Sequence, residues 1–348
     1  MRLLPLTAVL VLALQATPAD AQAPYSRFGE DAPPQATTDE AAMRGAWQSW
    51  SQRSAAALAA TGQPRELAFA AVLHGMADAP PPDPDGDTPS RPVTPDPQTA
   101  AWRRDAAARA GNDVLANTLL AYGSDEATRL RAAQRWLGAD PQNLAPLLMR
   151  GGNADVLLSD ARTATRFDLG MLEQVRWMKA ALLRTLPTAS ERAAFADAGD
   201  FVAEEHAAIQ AMGLWAAVAI PGLQPLMEGC DVDALRTSTS RAQDCRHVAR
   251  LMAEHSDTQL GTMIGLALSE RTAQGAAERA EVQARRRTLD WRNLEWGRAS
   301  MDLPRDGAPQ LVRLLADPSI RTEADLVSRV LQEAGVPLEP PAGWQPPR

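Results

Sequence analysis

Apolar residues recur along most of this chain at steps of three and four, and sustained alternating runs of β-branched and aromatic residues are absent, so the pattern predicts helices and no sheet. From Asp39 to Ala60, Met43, Trp47, Trp50 and Leu58 form one apolar stripe, with Thr38 as N-cap and Asp39 and Glu40 in the first turn. A helix over Pro64 to Ala77 completes a hairpin. Ser124 starts the helix of SDEATRLRAAQRWLGADP, which Gly138 and Pro141 stop. In TRFDLGMLEQVRWMKAALLRTLP, Met171, Val175, Met178, Leu182 and Leu186 share a face ahead of Pro187. The next helix begins at Ser190 and runs through Phe201, Val202, Ile209 and Met212 to Pro221. Ser256 and Asp257 cap a helix bearing Leu260, Ile264 and Leu268. Thr322 and Asp325 form a capping box before Leu326, Val330 and Leu331, closed by Gly335 and Pro337. The predicted fold is all-α: an irregular array of antiparallel helical hairpins, solenoid-like or a bundle.

Where the pattern breaks, it divides the chain. The opening MRLLPLTAVLVLALQATPADAQA joins Arg2, an apolar run from Leu3 to Leu14 and a small-x-small Ala19-Asp20-Ala21 site. These features predict a secretory signal peptide over residues 1–21, cleaved after Ala21, and hence a periplasmic or secreted protein. The run is shorter than a membrane span, and no cysteine lies nearby for lipid attachment. Residues 22–37 are expected to be disordered and 38–77 to form an N-terminal hairpin. The prolines of DAPPPDPDGDTPSRPVTPDPQ make residues 78–98 a linker. The main helical domain spans 99–336, and the proline-rich tail, 337–348, is expected to be extended and mobile. The most apolar stretch, Ala208 to Leu223, follows Glu204, Glu205 and His206 and is cut by Gln210 and Pro221. It reads as a buried helix, so no integral span remains after signal cleavage.

A formal charge of −8 lacks the electrostatic footprint of a nucleic-acid binder. Cys230 and Cys245, in GCDVDALRTSTSRAQDCRHVARLM, are too far apart for a Cys-x-x-Cys redox pair, and zinc would need His247 and His255, two helical turns apart. In an exported chain the pair is expected to form a structural disulfide between a loop and a helix. His206 beside Glu204 and Glu205 does not converge with them, because such neighbours point to different parts of a helix surface. His74 suits a helix C-terminus. The sequence DPDGD, Asp83 to Asp87, starts like a calcium loop, but Thr88 and Thr94 stand where glycine and glutamate are required, which leaves an acidic turn. In ARRRTLDWRNLEW, residues Arg285, Arg286, Arg287, Trp291, Arg292 and Trp296 form a possible ligand surface for an anionic polymer, or an ordinary helix edge clad in long side chains. No cofactor or metal is expected, and the common nucleophile-elbow, zinc-helix and phosphate-loop signatures are absent.

Asp140, Pro141 and Asn143, within WLGADPQNLAPLLMRGGNADVLL, resemble a helix junction of the tetratricopeptide and related hairpin repeats. The chain departs from that family in lacking a sustained 34-residue period and the aromatic-glycine pattern of its first helix. The whole plan also resembles uncharacterised exported α-helical proteins of Gram-negative bacteria, a resemblance that implies location and fold without a reaction. The functional expectation is an exported scaffold or binding module for an unknown protein or envelope component, without catalysis. The alternatives are an envelope-polymer (carbohydrate) hydrolase using a carboxylate pair, and an antibacterial toxin or immunity component.

Overall fold

The computed structural model describes residues 38–77, 96–123, 125–196, 201–302 and 307–347. The segments expected as signal peptide and disordered N-terminus (1–37) and residues 78–95 of the expected linker, with the DPDGD turn, lie outside them. The described residues contain seventeen α-helices and no β-strand, and the fold is all-α. In chain order these are α1 (Thr38–Ala59), α2 (Pro64–Ala77), α3 (Pro97–Arg109), α4 (Val114–Ala121), α5 (Glu126–Ala139), α6 (Ala145–Arg150), α7 (Ala154–Asp160) and α8 (Met171–Leu182). There follow α9 (Ala189–Phe195), α10 (Ala203–Val218), α11 (Gln224–Gly229), α12 (Val232–Thr237), α13 (Thr239–Glu254), α14 (Gln259–Thr272), α15 (Gly275–Asp302), α16 (Gly307–Ala316) and α17 (Glu323–Glu333).

Helices adjacent in sequence pack as hairpins: α1 on α2, α2 on α3, α4 on α5 and α13 on α14. Longer contacts fold the array back on itself, with α9 against α1 and α16 against α10. One apolar core runs continuously from Trp50 to Val330. The α1–α9 contact shows how this closure is held. Trp50 is buried, and its indole Nε1 donates to the Thr185 carbonyl at 2.7 Å. Glu191 of α9 accepts from Ser49 at 2.8 Å and pairs with Arg53, while closing the α9 capping box with Thr188. The α13–α14 crossing depends on absent side chains: a Cβ on Gly265 would lie 2.2 Å from the Ala253 backbone nitrogen.

Several sequence expectations change. The α5 cap is Asp125, whose carboxylate accepts from the Ala127 N–H, Ser124 lies outside the described residues, and α5 continues through Gly138 to Ala139. The helix expected from Ser190 to Pro221 is two, α9 and α10: Ala196, Phe201 and Val202 are not helical, and Phe195 and Phe201 both pack against His206 and against each other. Met43 and Leu186 are exposed, off the stripes assigned to them. The Thr322–Asp325 capping box forms reciprocally. Pro97 and Gln98, assigned to the linker, open α3, for which Asp96 is the cap. The tail is held against α15, as described below.

Cys230 and Cys245 are both fully buried and stand at disulfide distance, with sulfurs 1.96 Å and Cα atoms 5.7 Å apart. Cys230 stands in the turn that caps α11 and Cys245 lies within α13, so the pair joins a turn to a helix, while the TSTS segment, expected as loop, spans the end of α12 and the start of α13.

Candidate functional site

Three helix junctions meet on one extended segment, Ala164 to Gly170. On one side, Leu144 N–H donates to the Arg166 carbonyl (2.9 Å) and Thr165 N–H to that of Gln142 (2.8 Å), so the α5–α6 junction lies against the segment. On the other, Phe167 N–H donates to the His255 carbonyl (3.0 Å) and Asp257 N–H to that of Phe167 (3.2 Å), bringing in the α13–α14 junction. The α16–α17 junction joins through Glu323 N–H to the Asp257 carbonyl at 2.9 Å.

Side chains lock the junctions through backbone groups of the extended segment and of the junctions themselves. Asn143 donates to the Asp168 carbonyl (2.7 Å), and its Oδ1 accepts from Asp168 N–H and Ala145 N–H, each at 3.0 Å. Arg166 pairs with Asp140. The Asp-Pro-x-Asn turn therefore works here as a clamp on residues 166–168. Glu323 accepts from Gln259 N–H at 2.7 Å. Arg176, on α8, donates to the carbonyls of Leu315 (2.6 Å), Asp317 (2.9 Å) and Ile320 (2.7 Å).

Asp257 is the centre of this arrangement. Its Oδ1 accepts from Leu169 N–H (2.8 Å) and its Oδ2 from Met171 N–H (2.9 Å), at the N-terminus of α8, where a carboxylate complements both the free N–H groups and the helix dipole. Gly170, in the left-handed region at φ 68°, makes the turn into α8, and its N–H donates to Asp168 Oδ1 at 2.8 Å. Burial drives the Asp257 carboxyl well above the usual carboxylate range, and the neighbouring Asp168 charge and hydrogen bond add to this against the two backbone donors. Burial likewise raises Glu323, opposed by its bond from Gln259. Burial also raises the phenol of Tyr122, whose hydroxyl donates to Gln174 Oε1 at 3.0 Å, while Gln174 Nε2 donates to the Leu169 carbonyl.

An open pocket of about 340 Å³ faces this centre, lined by Asp168, Glu173, Arg176, Asp257 and Arg321 with Gly170 and Leu172. Chemically it offers the carboxyls of Asp168, Glu173 and Asp257 beside the guanidinium groups of Arg176 and Arg321. In glycosidases both carboxyls are free to meet sugar or water, whereas here Asp257 accepts from Leu169 and Met171 N–H and Asp168 from Gly170 N–H. Among the described residues no three His, Cys, Asp or Glu side chains gather to hold a metal ion, and no helix is long and apolar enough to cross a membrane.

The residues singled out from sequence lie elsewhere. Arg285 donates to Glu254 and to the Ala253 carbonyl, both at 3.1 Å, and Arg286 to Glu270 at 3.3 Å. Trp291 and Arg292 hold the chain's own tail, Trp296 packs on the core, and Arg287 is exposed. Five of the six residues expected to form one surface are thus engaged in separate contacts along α15. His206 stacks on Phe195 (4.2 Å between centroids) and meets Trp50 and Phe201, and burial lowers it to about 4, leaving it neutral. Glu204 pairs instead with Lys179 at 2.6 Å. His74 packs edge-on against Trp102 and bonds Thr99 at 3.1 Å, and His247 bonds the Ala164 carbonyl at 3.1 Å.

Asp168, Asp257, Glu323 and Arg176 escaped the sequence reading. Asp257 looked like a helix cap, but Thr258 caps α14, accepting from Gly261 N–H at 3.2 Å. The one available signal was that Asp257 and Thr258 are both competent caps, so one of them was spare. Comparison of the chain with protein-family models, curated proteins and solved structures finds no match.

Proposed function

We propose that the chain is an exported helical-hairpin binding module that acts through contacts with a protein or envelope partner, without catalysis. The observation that supports this most is the use made of the polar centre. Both oxygens of Asp257 accept backbone N–H groups, Glu323 holds Gln259, Asn143 holds Asp168, and Arg176 binds three carbonyls. Groups bound in this way set the angles between hairpins and so fix the shape of the outer surface, as a scaffold requires. The Asp140–Asn143 turn is in keeping with degenerate tetratricopeptide-like hairpins. The signal-like N-terminus and a cysteine pair at bonding distance both favour an oxidising, extracytoplasmic compartment.

One observation favours the hydrolase reading: the Asp168–Asp257 pair borders a pocket open to solvent. The burial of Asp257 and the two backbone donors on its carboxylate weigh against proton delivery to a substrate. Affinity capture from crosslinked envelopes, with the Asp168→Asn variant alongside, tests the choice. Repeated recovery of the same partner by both chains supports the module. Release of soluble fragments from purified envelope polymer by the parent, lost in Asp168→Asn, would establish the hydrolase instead.

A further inference from the structure

The face of α15 that the sequence marked for a ligand is covered by the end of the chain itself. After α17, Gly335 turns the backbone at φ 71°, and residues 336–347 run back along α15. Trp291 Nε1 donates to the Pro337 carbonyl (2.8 Å) and Arg292 Nε to the Leu338 carbonyl (2.9 Å). Arg292 Nη2 and Thr288 Oγ1 meet the Glu339 carboxylate at 2.9 and 3.0 Å. The Trp344 ring stands edge-on to Trp291, with centroids 5.4 Å apart, after a turn closed by Trp344 N–H to the Pro341 carbonyl.

This is the chemistry by which extended proline-rich peptides are held. Main-chain carbonyls of a segment whose prolines lack N–H groups accept from fixed side-chain donors, and an aromatic ring supplies the contact area. Thr288, Trp291 and Arg292 occupy one face of a single helix, at spacings of three and four. Glu339 and much of the tail remain exposed, so the segment is clasped from one side.

We propose that this face of α15 is a docking groove for an extended, acidic, proline-rich segment of a partner protein, with the C-terminal segment as the internal occupant that such a partner displaces. The proposal rests on the binding-module reading and names its partner's chemistry. Charge complementarity between Arg292 and an acidic side chain sets the register. A second copy of the chain is the weaker occupant, because exchanging identical tails replaces each contact by itself and adds the entropy cost of association.

The test is a fluorescence anisotropy titration of a dye-labelled peptide of residues 336–347, VPLEPPAGWQPP, against two full-length chains. One is the parent; the other carries Glu339→Ala and Trp344→Ala, which loosen its own tail. The loosened chain is expected to bind the peptide about tenfold more tightly, because the parent's tethered tail competes at a high effective concentration. Adding Trp291→Phe, which keeps a ring but removes the N–H donor, should cost about fivefold or more, with helical circular dichroism unchanged. Equal affinity for the parent and loosened chains overturns the proposal, as does binding indifferent to Trp291→Phe. A parent dimer that Trp344→Ala dissociates also overturns it, by giving the groove to a second copy. The titration needs no envelope partner, so its failure removes the groove alone, whereas failure of the envelope capture removes the module reading.

Discussion

At Asp257 burial and the neighbouring Asp168 favour the protonated acid, while two backbone N–H donors favour the carboxylate. Replacing it with asparagine keeps the shape but turns an NH₂ group towards one of those N–H donors, so Asp257→Asn should destabilise the fold by about 1–3 kcal/mol in urea melts at pH 5. The sign of the pH dependence follows from the raised pKa values of Asp257 and Glu323. The folded chain holds these protons more tightly than the unfolded one, so their contribution is complete below the ordinary carboxylate pKa and is lost as pH rises through the folded values. Asp257→Asn should flatten that alkaline-side decline, and an unchanged slope would exclude Asp257 as its source. On the acid side, His206 is lowered from 6.5 to about 4, so stability falls as pH drops across that interval, where the unfolded chain protonates first. Glu191 extends the loss. Burial opposes its ionisation, but bonds from Thr188 N–H, Arg53 and Ser49 outweigh that and hold it at about 2, so its contribution disappears between about 4.5 and 2. His206→Gln should remove the first part of the acid decline and leave the second. None of these roles was readable from sequence. An aspartate beside a serine and a threonine looks like a cap, and its long-range bonds to Leu169 and Met171 depend on where residues 164–170 run.

Helices were legible wherever local chemistry decides them. The spans of α1 and α2 and the capping box of α17 follow from periodicity and caps within a few residues of each other. Elsewhere local signals mislead: Gly138 has the chemistry of a stop, yet α5 continues through it because the glycine stands in open space. Two glycine substitutions separate these contexts. Gly265→Ala should destabilise by about 1–3 kcal/mol, because the added methyl meets the backbone of Ala253 and Met252 rather than a movable side chain. Gly138→Ala, in an exposed helical site with nothing within 4 Å, should stabilise by about 0.5–1 kcal/mol. Urea midpoints of the two variants check both. A neutral Gly265→Ala would mean that α13 and α14 do not cross closely there.

Across the whole molecule, hairpins pair locally, while a few long-range fastenings set how they are stacked: the α1–α9 contact, the Asp257 centre, the tail on α15 and the cysteine crosslink. The Cys230–Cys245 pair closes a separation of 15 residues, for which chain entropy predicts about 3 kcal/mol of stabilisation. A chain with both cysteines changed to alanine should show that loss in denaturant melts under oxidising conditions, and a parent indifferent to reductant would contradict it. The all-α class and the cysteine pairing could be anticipated because both depend on composition and spacing. The arrangement of the polar centre and the covering of α15 could not, because they turn on contacts far apart in the chain, Asp257 with Leu169 and Trp291 with Pro337. On this account the polar centre holds a binding surface in shape. The most direct test is quantitative crosslinking in intact envelopes with the parent and Asp168→Asn chains side by side. The account predicts one recurring partner, captured by both chains, because the amide oxygen of Asp168→Asn still accepts from Gly170 N–H and leaves the centre in shape. No recurring partner for the parent would contradict it.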